Sequence, residues 1–127
     1  MTPYGAMQQR ILLVEDESIT RANIADLLKA NGYDVAEARD GAQAVELLTE
    51  RSFDLIITDL VMPQMNGFKL IARVRSFDRA LPVILITAFL STQSGEAILG
   101  GSAEFIGKPI DPGVLLTAVN RLVSRGD

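Results

Sequence analysis

Four short apolar runs end in residues able to do chemistry. ILLV at 11–14 is followed by Glu15, Asp16 and Glu17, LIIT at 55–58 by Asp59, PVILIT at 82–87 closes on Thr87, and AEFI at 103–106 leads through Gly107 to Lys108 and Pro109. Brought together, Glu15, Asp16 and Asp59 would repel one another and raise one another's pKa unless a cation held them. All-oxygen ligation suits Mg²⁺, a hard ion that takes carboxylates, carbonyls and water and commonly partners phosphate. The Lys108 ammonium and the Thr87 hydroxyl are the donors that could hold the remaining oxygens of a phosphoryl group. Each residue also has an ordinary structural explanation. Glu15-Asp16 suits the cap and first turn of a following helix, Asp59 a turn, Thr87 a strand end and Lys108 a solvated loop. Complementary parts on four separate strand ends favour a phosphoryl site over packing alone.

The elements that must position these residues alternate along the chain. With DVAEA at 34–38 the apolar runs number five, and their consecutive rather than alternating apolar residues suit strands buried on both faces. Between them, Ser18 to Asn31 carries Ile24, Leu27 and Leu28 on one face and stops at Gly32; Asp40 caps a segment with Val45 and Leu48 inward. A third segment runs from about Asn66 to Ser76 with Leu70, Ile71 and Val74. A weak fourth, Ser91 to Leu99, is rich in Ser, Thr, Gln and Gly. The last starts at Asp111-Pro112 and repeats Val114, Leu115, Ala118, Val119 and Leu122. Five strands alternating with five helices predict an α/β, doubly wound (βα)5 domain with a parallel sheet. In such sheets ligands bind beyond the carboxyl ends of the strands, where these polar residues sit. Residues 1–9 show no periodicity and read as a flexible lead-in, leaving residues 10–127 as one domain.

Composition narrows the chemistry. The chain of 127 residues has no His and no Cys, which removes thiol and imidazole nucleophiles, disulfides and ordinary zinc sites. Sixteen acids against twelve bases give a net charge of -4, which argues against a direct nucleic-acid binder. No apolar run approaches the ~20 residues of a membrane span, and no signal-peptide core follows Met1, so a cytoplasmic protein is expected.

ILLVEDE, LIITDLVMPQMNG, VILITA and AEFIGKP, in this order and spacing, resemble the response-regulator receiver domains of two-component signalling, a chemotaxis-regulator-like superfamily. The resemblance covers residues 10 to about 125. It implies a flavodoxin-like three-layer sandwich with strand order 2-1-3-4-5. Asp59 would be the phosphoacceptor, attacking phosphorus in line to give an acyl phosphate; Glu15 and Asp16 with Asp59 would be the Mg²⁺ carboxylates, with the Val61 backbone carbonyl as a further ligand. Thr87 and Lys108 would contact the phosphoryl oxygens, Thr87 and Phe105 would form the switch, and Lys108-Pro109 would be a cis peptide. Such a chain catalyses only its own phosphorylation and dephosphorylation. The implied partners are a sensor histidine kinase or histidine phosphotransfer protein as donor, and a downstream protein on the face of the fourth helix, fifth strand and fifth helix, with homodimerisation a further option. Lacking His, this chain holds only the acceptor half of such a relay.

Two other classes stay open on the residues. An aspartate-nucleophile phosphatase or phosphotransferase usually shows Asp-x-Asp, and Val61 stands in the second position. A pure interaction module would not need the full set of acids, Thr and Lys.

By the same resemblance, the residues two after the acceptor and two after the switch Thr flank the path of a hydrolytic water. Here they are Val61 and Phe89, which can obstruct water but not orient it, so a slow intrinsic loss of the phosphoryl group is expected. Val61→Asn with Phe89→Glu should shorten the half-life of the phosphorylated protein, and equal hydrolysis rates would contradict the expectation.

Overall fold

The computed structural model describes residues 8–62, 66–76, 78–88 and 103–124. Five strands, β1 (Arg10–Val14), β2 (Asp34–Ala38), β3 (Leu55–Asp59), β4 (Val83–Thr87) and β5 (Ala103–Gly107), form one sheet. All neighbouring pairs are parallel, in the order β2-β1-β3-β4-β5. The helices among the described residues are α1 (Ser18–Ala30), α2 (Gly41–Glu50), α3 (Gly67–Arg75) and α4 (Pro112–Ser124). The expected Ser91 to Leu99 helix and Phe89 lie outside the described residues.

The consecutive apolar runs are explained by two cores, because successive side chains of a strand point to opposite faces. Ile11 and Leu13 of β1, Ile57 of β3 and Ile86 of β4 pack with α1 and α4 through Leu28, Leu115 and Val119. Leu12, Val14 and Ile56 face the other way, onto Ala44 of α2 and Leu70 and Val74 of α3. Ile71 of α3 covers Val83 and Leu85 on that second side. With helices on both faces, the sheet has the three-layer form expected.

Local chemistry sets the helix ends. The Asp40 carboxylate accepts the Gln43 N–H at 2.8 Å, Asn66 accepts Lys69 N–H at 2.9 Å, and Asp111 accepts Gly113 and Val114 N–H at 2.8 and 3.2 Å. At the end of α1, Gly32 has φ 90°, its N–H donates to the Lys29 carbonyl and the Tyr33 N–H to Leu28, a Schellman closure that glycine enters without strain.

One packing expectation needs correction. Val114 is 54% exposed rather than buried, because it lies in the first turn at the margin of the α4 stripe, where it lines an open groove with Phe105 and Thr117. Val45 and Leu48 of α2 pack inward against the Leu12, Val14 and Ile56 cluster as expected, half-buried there, while the fully buried positions of that helix are Gly41 and Ala44, small enough to let it lie close to the sheet. No described helix is long and apolar enough to cross a membrane.

Candidate functional site

Sheet register gathers the polar residues at one edge. Val14 of β1 lies opposite Thr58 of β3, Asp59 opposite Ile86 of β4, and Thr87 opposite Gly107 of β5. Each next residue along the chain therefore emerges one strand spacing, about 4.8 Å, from its neighbour's. Strand β1 has β2 on one side and β3 on the other, so the chain's reversal of direction across the sheet falls between Glu15 and Asp59.

One carboxylate oxygen from each of Glu15, Asp16 and Asp59 lies within 4.8 Å of the others. Together with Glu17, Val61, Ala88 and Lys108 these residues line a cleft of ≈ 360 Å³. Glu15 and Asp59 are buried and Asp16 is exposed. Asp59 is held at both oxygens: the Val61 N–H donates to Oδ1 at 3.0 Å and Lys108 Nζ donates to Oδ2 at 2.6 Å. Glu15 Oε2 accepts the Glu17 N–H at 3.0 Å, whereas buried Oε1 has no hydrogen-bond partner among the described residues and lies 3.8 Å from the Lys108 ammonium.

This imbalance shifts the titration of the cleft. Burial pushes the Glu15 carboxyl up to about 7, opposed by the Glu17 N–H and reinforced by Asp16 and Asp59. For Lys108, partial burial works downward, but its hydrogen bond to Asp59 and the surrounding carboxylates outweigh it and hold its pKa above the usual lysine range. One ammonium is thus shared among three acids, and the orphaned Glu15 Oε1 points to a missing positive charge. The donor set, carboxylates and nearby carbonyls with no nitrogen or sulfur ligand, fits Mg²⁺.

The other expected site residues fall on the same edge or behind it. Thr87 is 1% exposed at the end of β4, and its carbonyl accepts the Lys108 N–H at 2.8 Å. Phe105 is half-buried two residues before the end of β5, opposite Leu85 and packed on the Ile71, Val83 and Leu85 cluster. Val61 is 65% exposed at the mouth of the cleft, and the Lys108-Pro109 bond is cis.

Three contributors escaped the sequence reading. Glu17, not Glu15 or Asp16, caps α1 by accepting the Thr20 and Ile19 N–H groups, leaving the acid pair free of that task. Gly67 packs against the last peptide of β3: a Cβ there would come within 2.8 Å of the Asp59 carbonyl and 2.9 Å of Leu60 Cα, so α3 approaches β3 this closely only with glycine. Arg21 donates to the Glu15 carbonyl at 2.7 Å, a contact no local pattern foretells.

A folded state that keeps the Glu15 proton to about pH 7 binds more protons than the unfolded chain from about 4.5 upward. Stability of the metal-free protein should therefore fall as pH rises through that window. The expected loss is up to about 3 kcal/mol, at about 1.4 kcal/mol per pKa unit. Chemical denaturation in chelator should show this slope in the wild type and its absence in Glu15→Gln, and parallel pH profiles would contradict it.

Comparison with known proteins agrees with this geometry. A family model described as response regulator receiver domain matches residues 11–120. The chain is 38% identical over 121 residues to the chemotaxis protein CheY of Bacillus subtilis (strain 168), covering 93% of this chain and 100% of that protein. Other relatives are DNA-binding response regulators, of whose length the chain spans about half. Among solved structures, the signal receiver domain of a histidine kinase from Syntrophus aciditrophicus superposes with a TM-score of 0.82 at 34% identity, over 91% of this chain and 90% of that one. The receiver domain of a sensor histidine kinase from Pseudomonas aeruginosa PAO1, with a magnesium ion coordinated in its active-site cleft, gives a TM-score of 0.82 at 28% identity, over 93% and 99% of the two chains.

Proposed function

The chain belongs to the response regulator receiver domain family of two-component signalling, and from that premise we propose that it is switched by phosphorylation of Asp59. The observation that carries this reading is the double clamp on a buried carboxylate, Oδ1 on the Val61 N–H and Oδ2 on Lys108 Nζ, beside two further acids. A carboxylate attacks in its ionised form and needs no general base to act as nucleophile. An Asp59 oxygen forms the new bond to phosphorus, and the bond from phosphorus to the donor's leaving group breaks with its electron pair staying on that group.

The surroundings suit that transfer. Lys108 already bonds Asp59 and is the group to follow the charge onto the phosphoryl oxygens, with the buried Thr87 hydroxyl as a further donor. Glu15, Asp16, Asp59 and the Val61 carbonyl are the residues that would hold Mg²⁺, which when bound supplies the charge neutralisation that an anionic nucleophile and an anionic phosphoryl group need.

These 127 residues hold no His, so a phosphohistidine donor lies outside them, on a sensor histidine kinase or a histidine phosphotransfer protein. The acyl phosphate adds a charge of about -2 at the rim of the sheet. Thr87 and Phe105, on adjacent strands, are the switch pair that would report it to a downstream protein on the α4 and β5 side. Slow hydrolysis would follow from Val61 and Phe89.

Incubation with acetyl phosphate and Mg²⁺ should give one phosphoryl adduct by intact mass, lost in chelator and in Asp59→Asn. An unmodified wild type, or an adduct that survives Asp59→Asn, would contradict the proposal.

A further inference from the structure

The acid pair of the cleft sits on the turn between β1 and α1, and something must fix that turn against the repulsion of its own carboxylates. Backbone bonds do part of this: the Glu15 N–H donates to the Ala38 carbonyl at 3.0 Å, tying the turn to β2. The Glu15 carbonyl is taken by a side chain. Arg21 reaches back from the first turns of α1 and donates Nη1 to it at 2.7 Å, while its Nε lies 3.4 Å from Glu37 Oε1 on β2. The Arg21 side chain is only 20% exposed, and Glu37 is engaged from its other oxygen by Lys29 at 3.8 Å. A planar, multi-donor cation bridging a carbonyl and a carboxylate holds both directions at once, as a lysine's point charge does not.

We propose that Arg21, anchored on Glu37, is a positioning residue for the cation-binding turn, holding the Glu15 carbonyl so that the Glu15 and Asp16 carboxylates converge on Asp59. Arg21 touches neither Asp59 nor the cleft-facing oxygens, so it acts through the turn. The inference rests on the assignment of the cleft to Mg²⁺.

Its sign separates positioning from simple charge. If Arg21 mattered only as a positive charge near the acids, removing it would strengthen the attraction of the cleft for a cation. If it holds the turn, removing it weakens binding, and outer groups that orient ligands are typically worth 10- to 100-fold in metal affinity.

The experiment is a Mg²⁺ titration of the full chain followed by amide NMR at Glu15, Asp16 and Asp59, beside the unfolding transition of each metal-free variant. Arg21→Ala should raise the Mg²⁺ Kd about tenfold while still unfolding cooperatively, and Arg21→Lys should recover part of the loss. Arg21→Met, which keeps the aliphatic stem, replaces the alanine if that variant does not fold. A Kd unchanged or lowered in the neutral variants overturns the inference, as does failure of both to fold, which would assign Arg21 to the fold instead. A wild type that binds no Mg²⁺ overturns the cation assignment itself and the inference with it.

Discussion

The contact between Lys108 Nζ and Asp59 Oδ2 is the interaction on which the site depends. Asp59 is 5% exposed, and a carboxylate so placed is costly unless paired and hydrogen-bonded. Lys108 and the Val61 N–H between them satisfy both of its oxygens. The pairing is nevertheless incomplete as charge balance, because Glu15 shares the same ammonium at 3.8 Å and keeps one oxygen unbonded. The cleft is stable enough to exist with one lysine and is still short of positive charge, the condition a site needs if a cation and then a phosphoryl group are to enter it.

That balance is a product of sheet topology. Glu15, Asp59, Thr87 and Lys108 are remote in sequence, and a parallel register alone brings them to one edge on four adjacent strands. The central strands β1, β3 and β4 are buried on both faces, so a register slip among them would turn one core's side chains into the other's space and is strongly resisted. Close packing behind the site has the same effect, since Gly67 lets α3 press against the Asp59 peptide with no room for a Cβ. The geometry of the acids is thus fixed by apolar packing that itself does no chemistry.

The sequence made the architecture legible because its signals were local: continuous apolar runs, Asp40 and Asn66 at helix starts, Gly32 at a helix end. The cleft was legible for a related reason, as each polar residue directly follows an apolar run, and strand ends in such a sheet share one edge. Less legible were features set by tertiary partners. Val114 fits the helical period but lies at the margin of the buried face, and Val45 yields to Ala44 because closeness to the sheet, not hydrophobicity, decides who is covered. Arg21 could not be recognised, since its partners are a backbone carbonyl across a turn and Glu37 on another strand. The rise in the Glu15 pKa likewise depends on burial, and its neighbour Asp16, of nearly the same composition, stays exposed.

Glu15, Asp16 and Asp59 are thus placed where they could hold one cation, with Lys108 as a partial internal counter-ion. The measurement that tests this most directly is the Mg²⁺ dissociation constant of the wild type and of Lys108→Ala, both at pH 8.5, above the raised Glu15 pKa of about 7. Removing a unit charge that lies 2.6 Å from Asp59 and 3.8 Å from Glu15 should tighten Mg²⁺ binding by about tenfold or more. An unchanged or weaker affinity would contradict the account.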